Sequence, residues 1–96
     1  STRPSSYSLS QNYPNPFNAA TTIDFNLPQA SFVKLDIYNV LGQKVKSLVN
    51  EKLIAGYKRV TWDGINENGQ TVATGVYFYR IQADRFNETK KMVMLK

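Results

Sequence analysis

Residues 74–84 read "TGVYFYRIQAD", and they are the most strand-like segment of the chain. β-Branched and aromatic side chains fit a pleated, half-buried surface better than a helix. Tyr77, Tyr79 and Ile81 fall on one face of such a strand, and Val76 and Phe78 on the other. Both faces are therefore apolar, and periodicity leaves open which one meets the core.

The neighbouring segments repeat the two-residue period. In "TTIDFNLP", Ile23, Phe25 and Leu27 point one way and Thr22, Asp24 and Asn26 the other, until Pro28 removes a ladder donor. In "SFVKLDIYNV", Val33, Leu35 and Ile37 point inward, and Lys34, Asp36 and Tyr38 outward. A turn is expected at Gly42, and the alternation in "KVKSLVN" slips between Val45 and Leu48, as at a bulge or an edge. In "LIAGYKRVTWDG", Trp62 and Val60 are the core candidates, with the Lys58 stem at the rim. "DGINENGQ" is turn chemistry around Asn68-Gly69, and "TKKMVMLK" forms a last strand. Six or seven short strands with short connections predict an all-β fold, an immunoglobulin-like antiparallel β-sandwich of about seven strands. A small barrel is the main rival.

The 96 residues are enough for one domain, and 42% hydrophobic content excludes a disordered chain. Residues 1–8, polar and broken by Pro4, read as a linker from an upstream domain, with the sandwich over 9–96. The chain opens on Ser1 and has no charged-then-apolar leader pattern, which reads as a piece of a longer protein. No apolar run is long enough for a membrane helix.

Cysteine and histidine are both absent. Disulfides, thiolate metal sites, the usual general base and histidine-based triads go with them. The carboxylates, among them Asp24, Asp36 and Glu67, show no acid–base pairing, so no enzyme activity and no cofactor are expected. The net charge of +5 comes from lysines and arginines scattered along the chain, which reads as a solubilising surface without nucleic-acid binding. Asp63, Asn66 and Asn68 echo a calcium loop. The register fails, because Asp63 lies one residue early and Gly75 stands where a bidentate glutamate belongs, so a hairpin loop is expected. Tyr38, Tyr57, Trp62, Tyr77, Phe78 and Tyr79 would suit either core packing or a sugar-stacking platform, and Tyr77 also fits a tyrosine corner.

"NYPNPFN", residues 12–18, is the stiffest stretch. Pro14 and Pro16 fix φ and disfavour helix at Tyr13 and Asn15, so an extended run near polyproline II and then a turn are expected. Phe17 is placed to plug the open end of the sandwich, with Asn15 and Asn18 bonding loop backbone. Direct receptor contact is the sharper alternative.

Taken in order, "YPNPF", "YNVLGQ", "WDG", "GVYFYR" and the closing "KKMVMLK" resemble the type A C-terminal sorting domain of the type IX (Por) secretion system, over about Leu9 to Lys96. That family is also similar to the immunoglobulin-like domain of flagellar hook-capping proteins. The resemblance implies a non-enzymatic address label at the end of a larger exported protein. Type IX translocon and sorting proteins would read it, and the cargo would reach the cell surface or the medium. It makes Tyr13, Pro14, Asn15, Pro16, Phe17, Gly42, Trp62, Asp63, Gly64, Gly75 and Tyr77 structural motif positions. It makes Lys90, Lys91, Met92, Val93, Met94, Leu95 and Lys96 the recognition segment; physically, strand addition at a sheet edge, lysine steering and apolar contact would read it, and the alternative is an ordinary core strand with a charged end. A monomer without membrane insertion is expected. Ala19 and Ala20 stand where relatives often carry proline or serine. The rival readings are an accessory immunoglobulin-like module, for example carbohydrate-binding, of an extracellular enzyme, and a structural assembly domain.

Overall fold

The computed structural model describes residues 3–95 and contains no helix among them. The strands are β1 (Ser8–Leu9), β2 (Phe17–Asn18), β3 (Thr21–Leu27), β4 (Ser31–Tyr38), β5 (Lys44–Leu53), β6 (Gly56–Trp62), β7 (Gly75–Ala83) and β8 (Phe86–Leu95). They form two sheets, of order β1-β3-β6 and β2-β8-β7-β4-β5. The long strands number six, as the period-two segments predict, and two two-residue strands from the opening segment add to them. β3 and β6 face β4, β7 and β8 across the core, with β5 added at the edge, as in an immunoglobulin-like sandwich.

The core is made from the residues that alternation assigned to it. Ile23, Phe25, Leu27, Val33, Leu35, Ile37, Tyr79 and Ile81 are all fully buried. The two-faced β7 resolves cleanly: Tyr77, Tyr79 and Ile81 go inward, while Val76 and Phe78 lie half-buried on the outer face. Trp62 is buried and Val60 half-buried against the core. The slipped alternation of β5 is an edge strand with register shifts opposite Leu35/Asp36 and Ile37/Tyr38.

Several features depart from the expectations. Pairing is antiparallel except for β2, which runs parallel to β8. Asp36, expected to face solvent, is 3% exposed: Arg80 lies opposite it on β7, and the Tyr38 hydroxyl donates to its Oδ2 at 3.4 Å. The end of the expected linker is tied into the fold. Ser8 begins β1, and the Tyr7 ring stacks on Phe86 at 5.5 Å while its hydroxyl donates to Asp84 at 2.7 Å. An aromatic ring beside an apolar strand end buries surface that the polar residues before it lack.

Two turns share one design. Asn39 Oδ1 accepts from the backbone N–H groups of Leu41 and Gln43, and Asn66 Oδ1 accepts from those of Asn68 and Gln70. In both, the glycine, Gly42 or Gly69, has a φ near +80°, where a side chain is costly. Both segments read Asn-x-x-Gly-Gln, and both close the same end of the sandwich, where Glu67 bonds the Val45 carbonyl.

Candidate recognition site

The motifs scattered along the sequence converge on the end of β8. Phe17 and Asn18 pair in parallel with Met94 and Leu95, and Gly75 pairs with Met94 from the other side. Phe17 is 1% exposed and tilts against Trp62 at 5.9 Å. Trp62 meets Tyr77 edge-on at 5.4 Å and donates its indole N–H to the Ile65 carbonyl. Gly64 has φ +76°, and a Cβ there would come within 2.9 Å of Met94 Cε. Tyr77 donates its hydroxyl to the Ala73 carbonyl at 2.6 Å, the geometry of a tyrosine corner.

The opening motif is the second half of this site. Instead of running extended, it bends at residues 14–16, and the Tyr13–Pro14 and Asn15–Pro16 peptide bonds are cis. Side chains hold the bend: the Pro14 carbonyl accepts from Asn12 Nδ2 at 3.2 Å and Thr21 Oγ1 at 2.9 Å. Asn12 and Thr21 are both buried, so these bonds also satisfy groups that water does not reach. Behind them, the Tyr79 hydroxyl donates to the Ser10 carbonyl at 2.7 Å and accepts from the Asn12 N–H at 2.8 Å. Burial pushes the Tyr79 phenol up to about 12. Phe17 occupies the sandwich end as expected. Asn15 bonds strand backbone instead of a loop, and Asn18 is exposed.

Two side chains of the opening segment reach the outer edge of β8. Gln11 Nε2 donates to the Lys91 carbonyl at 2.8 Å, and Asn15 Oδ1 accepts from the Val93 N–H at 3.0 Å. With β2 beyond them, they occupy the edge of the last strand from Lys91 onward. An added strand would first have to displace them.

The recognition segment itself divides. Met92 and Met94, expected to offer apolar contact to a receptor, are core residues at 0% and 6% exposure. Strand parity places them with the inward set of β7. Lys91 is exposed, Val93 half-buried and Leu95 51% exposed on the opposite face. Lys90 pairs with Glu88 at 3.1 Å, and Lys96 lies outside the described residues.

The other candidates are placed as follows. Asp63 Oδ1 accepts from the Ile65 N–H, and Asn66 Oδ1 takes its two turn donors, so the best oxygens of the weak metal candidate serve their own turns. Among the described residues no three carboxylates gather as a metal set. Trp62, Tyr77 and Tyr79 are buried and Tyr38 and Phe78 half-buried, leaving Tyr57 as the exposed member of the proposed sugar platform. Tyr13 stands on the small sheet, donating to Asp24 at 3.0 Å with the Arg59 guanidinium 5.9 Å above its ring. Arg59, at 2.9 Å, holds the Asp24 carboxyl below its usual range. Sequence reasoning missed Gln11, Asn12, Thr21 and Tyr79 as builders of the site. The bonds that tie Gln11 to β8, and Tyr79 to Ser10 and Asn12, span 67 to 80 residues, beyond any local pattern.

The fold and this site define an immunoglobulin-like sandwich whose distinctive residues are spent on locking an entrance segment to the last strand. A family model described as the secretion system C-terminal sorting domain matches residues 11–95, and the chain belongs to that family. Its role is that of a sorting signal. Among solved structures, it is similar to dimeric latent PorU from Porphyromonas gingivalis, at 20% identity and a TM-score of 0.74, over 94% of this chain and 9% of that one. It is also similar to PorZ of the same organism, described as an essential bacterial surface component of the type-IX secretion system. Identity there is 17% and the TM-score 0.61, over 94% of this chain and 11% of PorZ. The chain thus spans about a tenth of those proteins' length, and the likeness is one of fold. No protein with a curated description matches it.

Proposed function

We propose that the chain is the address label of a type IX secretion system, carried by a larger exported protein and read at the joint between β8 and the opening motif. The cargo travels with it to the cell surface or the medium. The reading gives the domain no catalytic role and no cofactor. The observation that carries it is the convergence on Met94: residues from three separate motifs, Phe17, Gly64 and Gly75, fix the last strand in one pose.

That pose presents side chains more than backbone. Lys91, Val93 and Leu95 point outward, while Gln11, Asn15 and β2 occupy the strand edge. A translocon protein reading this label would meet a lysine and two aliphatic groups on a rigid strand. Binding a preorganised strand avoids the entropy of ordering a free tail.

The test is export of a fluorescent protein fused ahead of residues 1–96 in a type IX-competent host. Deleting the last strand would be a poor control, because it strips Met92 and Met94 from the core. Lys91→Glu with Leu95→Ser leaves the core intact. Export of the native fusion, with retention of this folded variant, supports the reading. Retention of the native fusion overturns it.

A further inference from the structure

The lysines that look scattered in sequence are gathered by the fold. The inward residues of β4, β7 and β8 are fixed by burial, so their alternates form the outer face of the five-stranded sheet. Strand register then lays that face out in rows. Lys52 sits opposite Phe32, and Lys34 opposite Gln82. Arg80 sits opposite Asp36, and Lys44 and Lys91 flank the Tyr38–Phe78 pair. Each of these four rows carries a cation; the next, Val76 with Val93, carries none. The face's one carboxylate among these residues, Asp36, is 3% exposed, and its Oδ1 has no hydrogen-bond partner among the described residues. The outer face of the small sheet differs: Arg59 is matched there by Asp24.

Apolar groups accompany the charge. Phe32 is 56% exposed, and at the β4–β5 tip Val40 and Leu41 are 67% and 78% exposed. A shallow depression of about 350 Å³, lined by Tyr38, Val40, Phe78 and Arg80, lies beside that tip.

The geometry points to this face as a docking surface for an acidic protein partner that presents carboxylates around an aliphatic side chain. Charge complementarity selects an anionic occupant. Its extent selects among anionic occupants. From Phe32 to Tyr38 is six residues, about 20 Å along the strands, and the cations cover that whole length. A membrane-inserting tip would collect them around Val40 and Leu41, yet Lys34 and Lys52 lie at the far end. Single-stranded nucleic acid needs open aromatic faces for stacking. Phe32 is the one well-exposed ring here among the described residues, too few for successive bases; Tyr38 and Phe78 are half-buried, and the most exposed apolar groups at the tip are aliphatic. Lys91 belongs both to this face and to the outward set of β8, but the variants below leave it unchanged and the titration is read without export.

Titration of the domain with a glutamate-rich peptide carrying a leucine pair, followed by backbone amide shifts, tests it. Shifts confined to the Lys34, Arg80 and Val40–Leu41 regions, weakening with salt, are expected. Lys34→Gln with Lys44→Gln and Lys52→Gln should weaken binding roughly tenfold. Thr22→Glu with Asn26→Glu and Thr61→Glu makes the same charge change on the small sheet and should weaken it by less than about twofold. Val40→Ser with Leu41→Ser should lose the preference over a peptide of equal charge without leucine. The proposal is overturned if the peptide produces no localised shifts, or if the two charge sets weaken it equally. Tighter binding of phosphatidylglycerol vesicles or polyuridine to this same face also overturns it, in favour of a membrane or nucleic-acid surface.

Discussion

At the scale of single residues, Tyr79 is the one whose hydroxyl has most to lose. It holds the Ser10 carbonyl and the Asn12 N–H together from inside the core. Tyr79→Phe removes both bonds and keeps the ring, so it should cost about 1–3 kcal/mol and speed hydrogen exchange at Asn12, measured by denaturant titration and amide exchange. The raised phenol pKa gives a pH signature. The neutral form is favoured in the folded state, so this contribution is intact below pH 10 and is lost as the pH rises toward about 12. Wild type should therefore lose more stability than Tyr79→Phe across that window. Asp84 works in the opposite direction. The Tyr7 hydroxyl first, and Gln29 next, hold its carboxyl below the ordinary value of 3.8. Its contribution is present above that value and fades as the pH falls through the lower folded one. Gly64→Ala should cost at least about 1–2 kcal/mol, since it forces an L side chain into the left-handed region and moves Met94 as well; a melting curve reads it.

At the scale of elements, β8 carries two jobs on its two faces, and mutation separates them. Met94→Ala opens a cavity in the core and should destabilise by about 2–5 kcal/mol. Leu95→Ser, largely exposed, should change stability by less than about 0.5 kcal/mol yet abolish export of a fused cargo. Loss of export only in proportion to loss of stability would refute the outward-facing assignment. The long strands were legible in the sequence because a two-residue period survives without tertiary help: Ile23 to Leu27 and Val33 to Ile37 went inward as read. What that period cannot carry is sheet order. Asp36 reads as an outer-face residue and is one, but only Arg80, opposite it on β7, and the Tyr38 hydroxyl show that it is covered. The bend at Pro14–Pro16 was hidden for a similar reason. Local φ preference favours an extended run, and the bonds from Asn12 and Thr21 to the Pro14 carbonyl override it. The sequence leaves Met92 and Met94 open between an ordinary core strand and a receptor contact, because the strand's parity relative to β7 is not readable from it. The paired Asn-x-x-Gly-Gln turns, by contrast, were open to inspection as a repeat.

At the scale of the whole molecule, the body measures 41 Å along its long axis and about 20 Å across. Tyr7 sits at one pole, against Ser31 and the β7–β8 turn, and Leu95 at the other, beside Phe17 and Gly64. The ten residues of β8 alone cover about 30 Å between them. Trp62 joins the two sheets near the Leu95 pole, and Trp62→Ala should cost about 3–5 kcal/mol and loosen Phe17 and Tyr77 together, visible as shared loss of amide protection. The polar separation also has a mechanical meaning. A tension applied through Tyr7 and resisted at Leu95 runs along the strands, not across them. The hydrogen bonds of β1 with β3, and of β8 with β7 and β2, are then loaded side by side in shear, and many must fail at once for the sandwich to extend. Those of an unzipping hairpin fail one at a time. A domain built this way resists being stretched between its two poles.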